Sequence, residues 1–492
     1  MGDRVAQTDF TRDDRSRFRQ KVTRCLQVLS RMLDEQRFET ERKLVGLEIE
    51  LNIADDDGHP QMLNDAVLQR IASQDFQTEL GQFNIEVNIA PHKLVGTVFS
   101  ELEEELRTSL NYADRKAREV GGRILTIGIL PSLTAAHTTT ENISANPRYA
   151  LLNDEIFAAR GEDLHLEIDG VETLSTTSTS ILPEAGCTSA QFHLQVSPAG
   201  FAAAWNAAQA IAGVQLALGA NAPFLFGREL WRETRIVLFE QATDTRPVEL
   251  KAQGVRPRVW FGERWIGGPL DLFEENLRYF PALLPLNSDE DPDQMLSRGE
   301  VPHLNELRLH NGTIYRWNRP VYDVARGKPH LRVENRVLPA GPTVVDTIAG
   351  AAFYYGLVRA LSEQDPPVWS RMSFPTAREN FLTAAKVGID AELYWPGTGL
   401  VPATELVEKT LLPLASAGLD RWKIDPHDRD LLLGIIEGRC ASRSNGASWQ
   451  SAVFHRLYDE GRMDRGAALR AMTRRYAEHM RGGAPVHTWP LC

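Results

Sequence analysis

The chain has 492 residues and carries 66 acidic against 54 basic side chains, a formal charge of −12. No basic block occurs anywhere, which excludes broad binding to nucleic-acid phosphates, since that needs clustered Lys and Arg. The length exceeds one ordinary core, and 42% hydrophobic with 24% charged residues is the composition of a globular protein.

The start, MGDRVAQTDFTRDDRSRF, has no apolar run ahead of a cleavage site, so export is not expected. Cys25, Cys187, Cys440 and Cys492 form no CxxC pair, which argues against a zinc ribbon and leaves a reducing, cytoplasmic setting as the expectation. Residues 201–226 are poor in charge but carry Asn206, Gln209, Gln215 and Asn221, and read as a buried helix rather than a membrane span.

Residues 12–37 place Phe18, Val22, Cys25, Leu26, Leu29 and Leu33 near a helical period, which predicts an amphipathic helix. LVGLEIELNI at 44–53 alternates at period two and ends in the turn formers DDDGHP, the mark of a strand. FNIEVNI at 83–89 repeats the alternation and is expected to stop at Pro91. A helix follows over 98–120, ended by Gly121 and Gly122. RILTIGIL at 123–130 reads as a more buried strand, and the Thr-, Ser- and Asn-rich residues 131–147 as a long loop.

SAQFHLQV at 189–196 alternates again, and Ser197-Pro198 is placed to cap a helix running to Gly219. Residues 246–311 read as extended loops around short elements. HLRVENRVL at 330–338 is the last clear strand. A helix after Thr343 ends near Ser362, and the patterns to Arg481 are helical apart from a Pro-Gly turn at 394–401. The expected domains are a catalytic unit over 1–362 and a helical region over 363–492 packed on it.

A strand sends alternate side chains to opposite faces. Glu48, Glu50 and Asn52 therefore share a face, as do Asn84, Glu86 and Asn88, then Gln191, His193 and Gln195, then Arg332, Glu334 and Arg336. Solvated faces would be filled as well by Lys, Thr and Ser, and two glutamates at i and i+2 repel unless a cation lies between them. The expectation is a concave antiparallel sheet whose polar face is a metal and nucleotide site. Carboxylates with one imidazole suit Mg²⁺ or Mn²⁺, and arginines supply planar donors for phosphate oxygens. Those are the parts of a phosphoryl-transfer site, and no GxxxxGK[ST] loop occurs. Gln191, Gln195, Arg316 and Asn318 are the candidate nucleotide contacts. The last two lie in an expected loop, Tyr315 to Arg319, for which ordinary packing of Trp317 is the alternative.

Five segments in order carry a resemblance. GLEIE at 46–50 resembles the G-x-E-x-E strand of the glutamate–cysteine ligase family, and TELGQFNIE at 78–86 its E-x-G-Q-[FL]-E segment, with one extra residue between Glu79 and Glu86. QFHLQVSP at 191–198, NAPF at 221–224 and LRVENRVLPAGPTVVD at 331–346 are similar to its later motifs. The resemblance implies an α+β, glutamine synthetase-like fold and ATP-dependent joining of a carboxylate, that of L-glutamate, to an amine such as L-cysteine. It implies that Glu48, Glu50, Glu79, Glu86, His193 and Glu334 hold two or three Mg²⁺ ions. It also implies that Arg332 and Arg336 face the transferring phosphate. With Glu50 these arginines are the candidate catalytic groups. The expected partners are small molecules, with neither nucleic acid nor membrane. A phosphagen-type kinase and a non-catalytic nucleotide-binding descendant are the alternatives.

Overall fold

The computed structural model describes residues 10–491, so the reading of residues 1–9 and of Cys492 lies outside the described residues. Seven strands make one sheet: β1 (Leu44–Ala54), β2 (Phe76–Thr78), β3 (Asn84–Lys93), β4 (Arg123–Leu125), β5 (Ala190–Val196), β6 (Asn318–Ala325) and β7 (Lys328–Asn335). Their order is β6-β7-β5-β1-β3-β2, and every pairing is antiparallel. β5 covers Val45 to Ile49 on one edge of β1, and β4 takes over the same edge from Asn52 to Ala54.

Period-two alternation divides this sheet into two chemically distinct faces. Leu47, Ile49, Leu51, Ile85, Val87, Phe192, Leu194, Leu331 and Val333 are all buried on the apolar face. The longer helices up to Ser362 are, in chain order, α1 (Arg12–Asp34), α2 (Val98–Arg118), α3 (Pro147–Arg160), α4 (Pro198–Gly219) and α5 (Val344–Ser362). α2, α4 and α5 join the apolar face in one core. α4 and α5 are long and apolar enough to cross a membrane, yet both windows are 89% buried inside the protein. A helix apolar on all sides belongs to a core or a membrane, and here the core takes both. The start of α4 is capped as the sequence suggests, with Ser197 Oγ accepting from Gly200 N, and that of α5 by Thr343 Oγ1 accepting from Asp346 N.

Several elements differ from expectation for identifiable reasons. β3 continues through Pro91 to Lys93. Val45 pairs with His92 but Leu47 with Ile89, so Ala90 and Pro91 sit opposite Gly46 in a bulge, where a missing ladder N–H costs nothing. The strand expected at 123–130 ends at Leu125. Beyond it the backbone is held by side chains and neighbouring backbone instead, with Asn52 Nδ2 donating to Ile127 O at 3.1 Å and Thr188 N to Gly128 O at 2.9 Å. The expected loop at 315–319 holds the short strand Tyr315–Arg316 and the start of β6. β6 is an edge strand, which is where Pro320 can be tolerated. α3 and the hairpin of Leu164–Asp169 with Thr173–Ser178 were not foreseen.

Residues beyond Ser362 are largely helical; those up to Cys440 share the core with the sheet-bearing part, and those from Trp449 to Trp489 pack in a second cluster with Leu125, Ile127, Leu130 and Phe224. The turn expected at 394–401 is a hairpin of Glu392–Trp395 with Gly399–Pro402. Two later helices, α6 (Gly446–His455) and α7 (Arg465–Gly482), dock on Asn221 of the NAPF turn. Its Nδ2 donates to Tyr476 Oη at 2.8 Å, and Gln450 Nε2 donates to its Oδ1 at 2.8 Å.

Candidate active site

Strand register fixes the neighbours on the polar face. Glu50 stands opposite Glu86, Glu48 between Asn88 and Gln191, and His193 between Gly46 and Glu334. Glu79 follows β2 in a turn, and one carboxylate oxygen from each of Glu50, Glu79 and Glu86 lies within 4.8 Å of the others. Burial, then the charges of Glu86 and Glu50, raise Glu79 well above the usual carboxylate range. Burial, then Glu48 and Glu50, push Glu86 up to about 8. Glu50 is also raised, chiefly by burial, although Ser189 N donates to it at 2.7 Å and Gln191 Nε2 at 3.0 Å.

Several potential metal-donor atoms on this face are left unused. Glu79 Oε1 and both ring nitrogens of His193 are buried without a hydrogen-bond partner. His193 Nε2 lies 3.0 Å from Glu48 Oε1, close but not aligned for a hydrogen bond. Burial disfavours the Glu48 anion, yet His193 beside it holds the carboxyl below its ordinary value. Converging carboxylates with free lone pairs and one imidazole fit a hard divalent cation.

Arginines occupy the β7 side. Arg336 Nη1 donates to Glu334 Oε1 at 2.7 Å and to Gln191 Oε1 at 2.8 Å, and Nη2 lies 3.7 Å from Glu50 Oε1. Arg319, on β6, donates to Glu334 Oε2 through Nε at 3.0 Å and Nη2 at 2.6 Å. Burial works against the Glu334 anion, but these two guanidiniums outweigh it and hold the carboxyl well below the usual range. Arg332 turns toward the sheet edge, to Asp323 Oδ2 at 3.2 Å and His330 Nε2 at 3.3 Å. It lines a pocket of about 220 Å³ together with Glu48, His193, Gln195, Lys328 and His330.

The structure therefore brings together Glu48, Glu50, Glu79, Glu86, Gln191, His193, Glu334 and Arg336, with Gln195 and Arg332 at the adjoining pocket. It does not bring Arg316 or Asn318 there. Arg316 is buried against Glu275 Oε2 at 3.0 Å and Asn276 Oδ1 at 2.9 Å, with its guanidinium 4.7 Å from the centre of the Trp260 ring. Asn318 pairs with Asn335 on the apolar side and donates to Gln209 Oε1 at 2.7 Å. Their polar character serves internal hydrogen bonds, which a local sequence pattern does not distinguish from ligand contacts. Sequence reasoning missed Glu184, in the turn Leu182–Gly186, which burial and Glu50 push up to about 8. It also missed the role of Arg319 on Glu334, because β6 was read as loop.

No curated protein sequence matches the chain. Among solved structures it is similar to glutamate–cysteine ligase from Francisella tularensis in complex with AMP, at 12% identity over 92% of this chain and 91% of that one, with a TM-score of 0.49. It is similar to a bifunctional glutathione synthetase from Pasteurella multocida at 11% identity over 92% of this chain, with a TM-score of 0.51. The match spans 54% of that longer chain. The ligase PafA in complex with the prokaryotic ubiquitin-like protein Pup aligns at 10% identity over 86% and 70% of the chains, with a TM-score of 0.35. At such identities the Pasteurella likeness concerns the fold alone, and it agrees with the glutamine synthetase-like α+β sheet. The family model of glutamate-cysteine ligase family 2 matches residues 44–424, which hold all seven strands and every carboxylate described above. The chain belongs to that family and is an ATP-dependent carbon–nitrogen ligase.

Proposed function

We propose that the protein uses ATP and Mg²⁺ to join the γ-carboxylate of L-glutamate to the amine of an amino acid such as L-cysteine. The observation that carries this reading is the convergence of Glu50, Glu79 and Glu86 beside Arg336. A substrate carboxylate oxygen attacks the γ-phosphorus of ATP, ADP departs, and an acyl phosphate results. The amine nitrogen then attacks the acyl carbon, phosphate leaves with the bonding pair, and the ammonium proton passes to a carboxylate. Glu48, Glu50, Glu79, Glu86, His193 and Glu334 would hold the metal ions. Bound Mg²⁺ supplies neutralisation of phosphate charge.

The chain's own residues do the positioning. Arg336, oriented by Glu334 and Gln191, presents a planar donor to the transferring phosphoryl group. A carboxylate of the site left free by the metal accepts the proton of the attacking amine. The pocket lined by Gln195, Lys328, His330 and Arg332 has basic groups suited to the phosphates of the nucleotide.

The test is to supply ATP, Mg²⁺, L-glutamate and a panel of amines, measuring ADP and inorganic phosphate separately and the product by mass spectrometry. Equal release of both with a new amide supports the reading. ADP without phosphate would indicate a kinase instead.

A further inference from the structure

Arg336 leaves the sheet at the end of β7, and the backbone around it is pinned at several points. Its own N–H donates to Trp317 O at 2.8 Å, and Ala190 N donates to Leu338 O at 3.0 Å. Two further carbonyls of this exit accept from side chains. Arg235 Nη2 donates to Val337 O at 2.8 Å, and Asn221 Nδ2 donates to Ala340 O at 2.9 Å.

These two donors belong to one buried network. Arg235 Nε donates to Glu233 Oε1 at 2.6 Å, and Glu233 Oε2 accepts from Asn221 N at 2.8 Å. Asn221 is gripped in turn by Tyr476 and Gln450, and Tyr476 Oη donates onward to Thr126 O at 2.9 Å. Asn221, Glu233, Arg235, Gln450 and Tyr476 are each 2% exposed or less. The fit is close, because α6 starts at Gly446, where a Cβ would lie 3.0 Å from Asn221 Cβ and nearer still to its amide. Gln450 on α6 and Tyr476 on α7 both lie beyond residue 424, where the family match ends. Replacing a buried ion pair such as Glu233 with Arg235 by apolar side chains is often neutral for stability, so a network of this kind calls for a role beyond filling the core.

We propose that Arg235 and Asn221 are positioning residues for Arg336, and that α6 and α7 act on the reaction through Asn221 by fixing the exit of β7. The proposal rests on the ligase reading above and gives the C-terminal helices a task in it. The guanidinium of Arg336 is oriented by Glu334 and Gln191, while the network holds the backbone from which it projects. With both ends fixed, the donor stands in place before the phosphoryl group moves. A misplacement of about 1 Å at such a group costs on the order of 100-fold in rate.

Steady-state kinetics and amide hydrogen exchange on the full chain with Mg²⁺ test this, using Asn221→Ala, Arg235→Lys and Tyr476→Phe. Arg235→Lys keeps a charge beside Glu233 but loses the second arm that reaches Val337 O, and Tyr476→Phe removes only a hydroxyl. Leu469→Ala is the control, since Leu469 is a buried α7 residue of the same C-terminal cluster whose side chain takes no part in the network. Each of the three variants lowers kcat roughly 10- to 100-fold with KM for ATP and L-glutamate near wild type, the pattern of an interaction made in the transition state. The amides of residues 336–340 exchange faster in all three. Leu469→Ala lowers the melting temperature and changes neither kcat nor that exchange. Should Asn221→Ala fail to fold, the two milder variants carry the test. Wild-type kcat in Arg235→Lys or in Tyr476→Phe, or a loss of kcat in Leu469→Ala as large as theirs, overturns the proposal. A wild type that releases no ADP with any amine overturns the ligase reading, and exchange then decides the coupling: amides at 336–340 that stay as in wild type overturn it.

Discussion

Glu50 and Glu86 face each other directly across β1 and β3, and a third carboxylate, Glu79, closes on both within 4.8 Å. Like charges directly opposite on a sheet are destabilising, so this arrangement persists only with protons or a cation among the oxygens. The Glu86 carboxyl, pushed up to about 8, keeps its proton in the folded protein at a pH where the unfolded chain has lost it. Stability is therefore fully present below the ordinary value of about 4.3 and is lost as pH rises toward 8, by up to about 1.4 kcal/mol per pH unit for one proton. Thermal melts of metal-free protein are expected to fall between pH 5 and pH 8. Millimolar Mg²⁺ suppresses the fall, and Glu86→Gln flattens it. A metal-free melting temperature that does not change over this range contradicts the picture.

The two arginines of β7 and its exit separate by role. Arg336 sits among Glu334, Gln191 and Glu50, whereas Arg332 faces Asp323 and His330 at the edge. Arg336→Lys keeps the charge but loses the planar fork, and a drop in kcat of about 100- to 1,000-fold is expected, the scale seen when a preorganised donor is removed. Arg332→Ala is expected to raise KM for ATP with a smaller effect on kcat. Steady-state kinetics on both variants checks the split, and equal losses of kcat would show that both touch the transferring group.

Arg316 gives the opposite expectation. Its guanidinium is 1% exposed and bonded to Glu275 and Asn276, so Arg316→Met strands a buried carboxylate. Removing one partner of a buried pair costs about 3–5 kcal/mol. Chemical denaturation should show a loss of that order, while the folded fraction retains its KM for ATP. A raised KM at unchanged stability would return Arg316 to the nucleotide site.

The polar stripe was legible because period-two alternation is a local property. Once Glu48, Glu50, Glu86, His193 and Glu334 are on strands, their shared face follows from geometry alone. The pairing of Glu50 with Glu86 was not legible, since register depends on the bulge at Gly46 and Pro91. Glu184 lies in a turn with no periodic signal, and only tertiary packing sets it near Glu50. Arg316 and Asn318 show the converse, because Arg, Asn and Trp in sequence look alike whether they meet a ligand or one another. α4 was recognised as a core helix because amides punctuate its apolar run, and α5 as a helix because a Gly-Pro-Thr segment leads into it.

The position of Glu79 depends on Gly81 two residues later. A Cβ on Gly81 would lie 2.7 Å from Asn84 Oδ1 and 3.0 Å from both Ala185 Cβ and Phe83 Cε1. The Asn84 amide can swing aside, but Ala185 belongs to the backbone turn that carries Glu184, and Phe83 is 0% exposed. Gly81→Ala must therefore move the Glu79 turn away from Glu50 and Glu86 rather than push the core. Overpacking of this kind costs about 1–3 kcal/mol, which a chain of this size tolerates. The larger effect is expected on the proposed metal site, where ligand positions matter to fractions of an ångström. Titrating activity with Mg²⁺ should show a higher metal requirement for Gly81→Ala, with the KM for ATP at saturating metal close to wild type. Excess Mg²⁺ should recover most of the activity, because the ligands are displaced but not lost. An unchanged Mg²⁺ requirement would mean that Glu79 is not among the ligands, leaving Glu50 and Glu86 to hold the ion with the groups on β5 and β7.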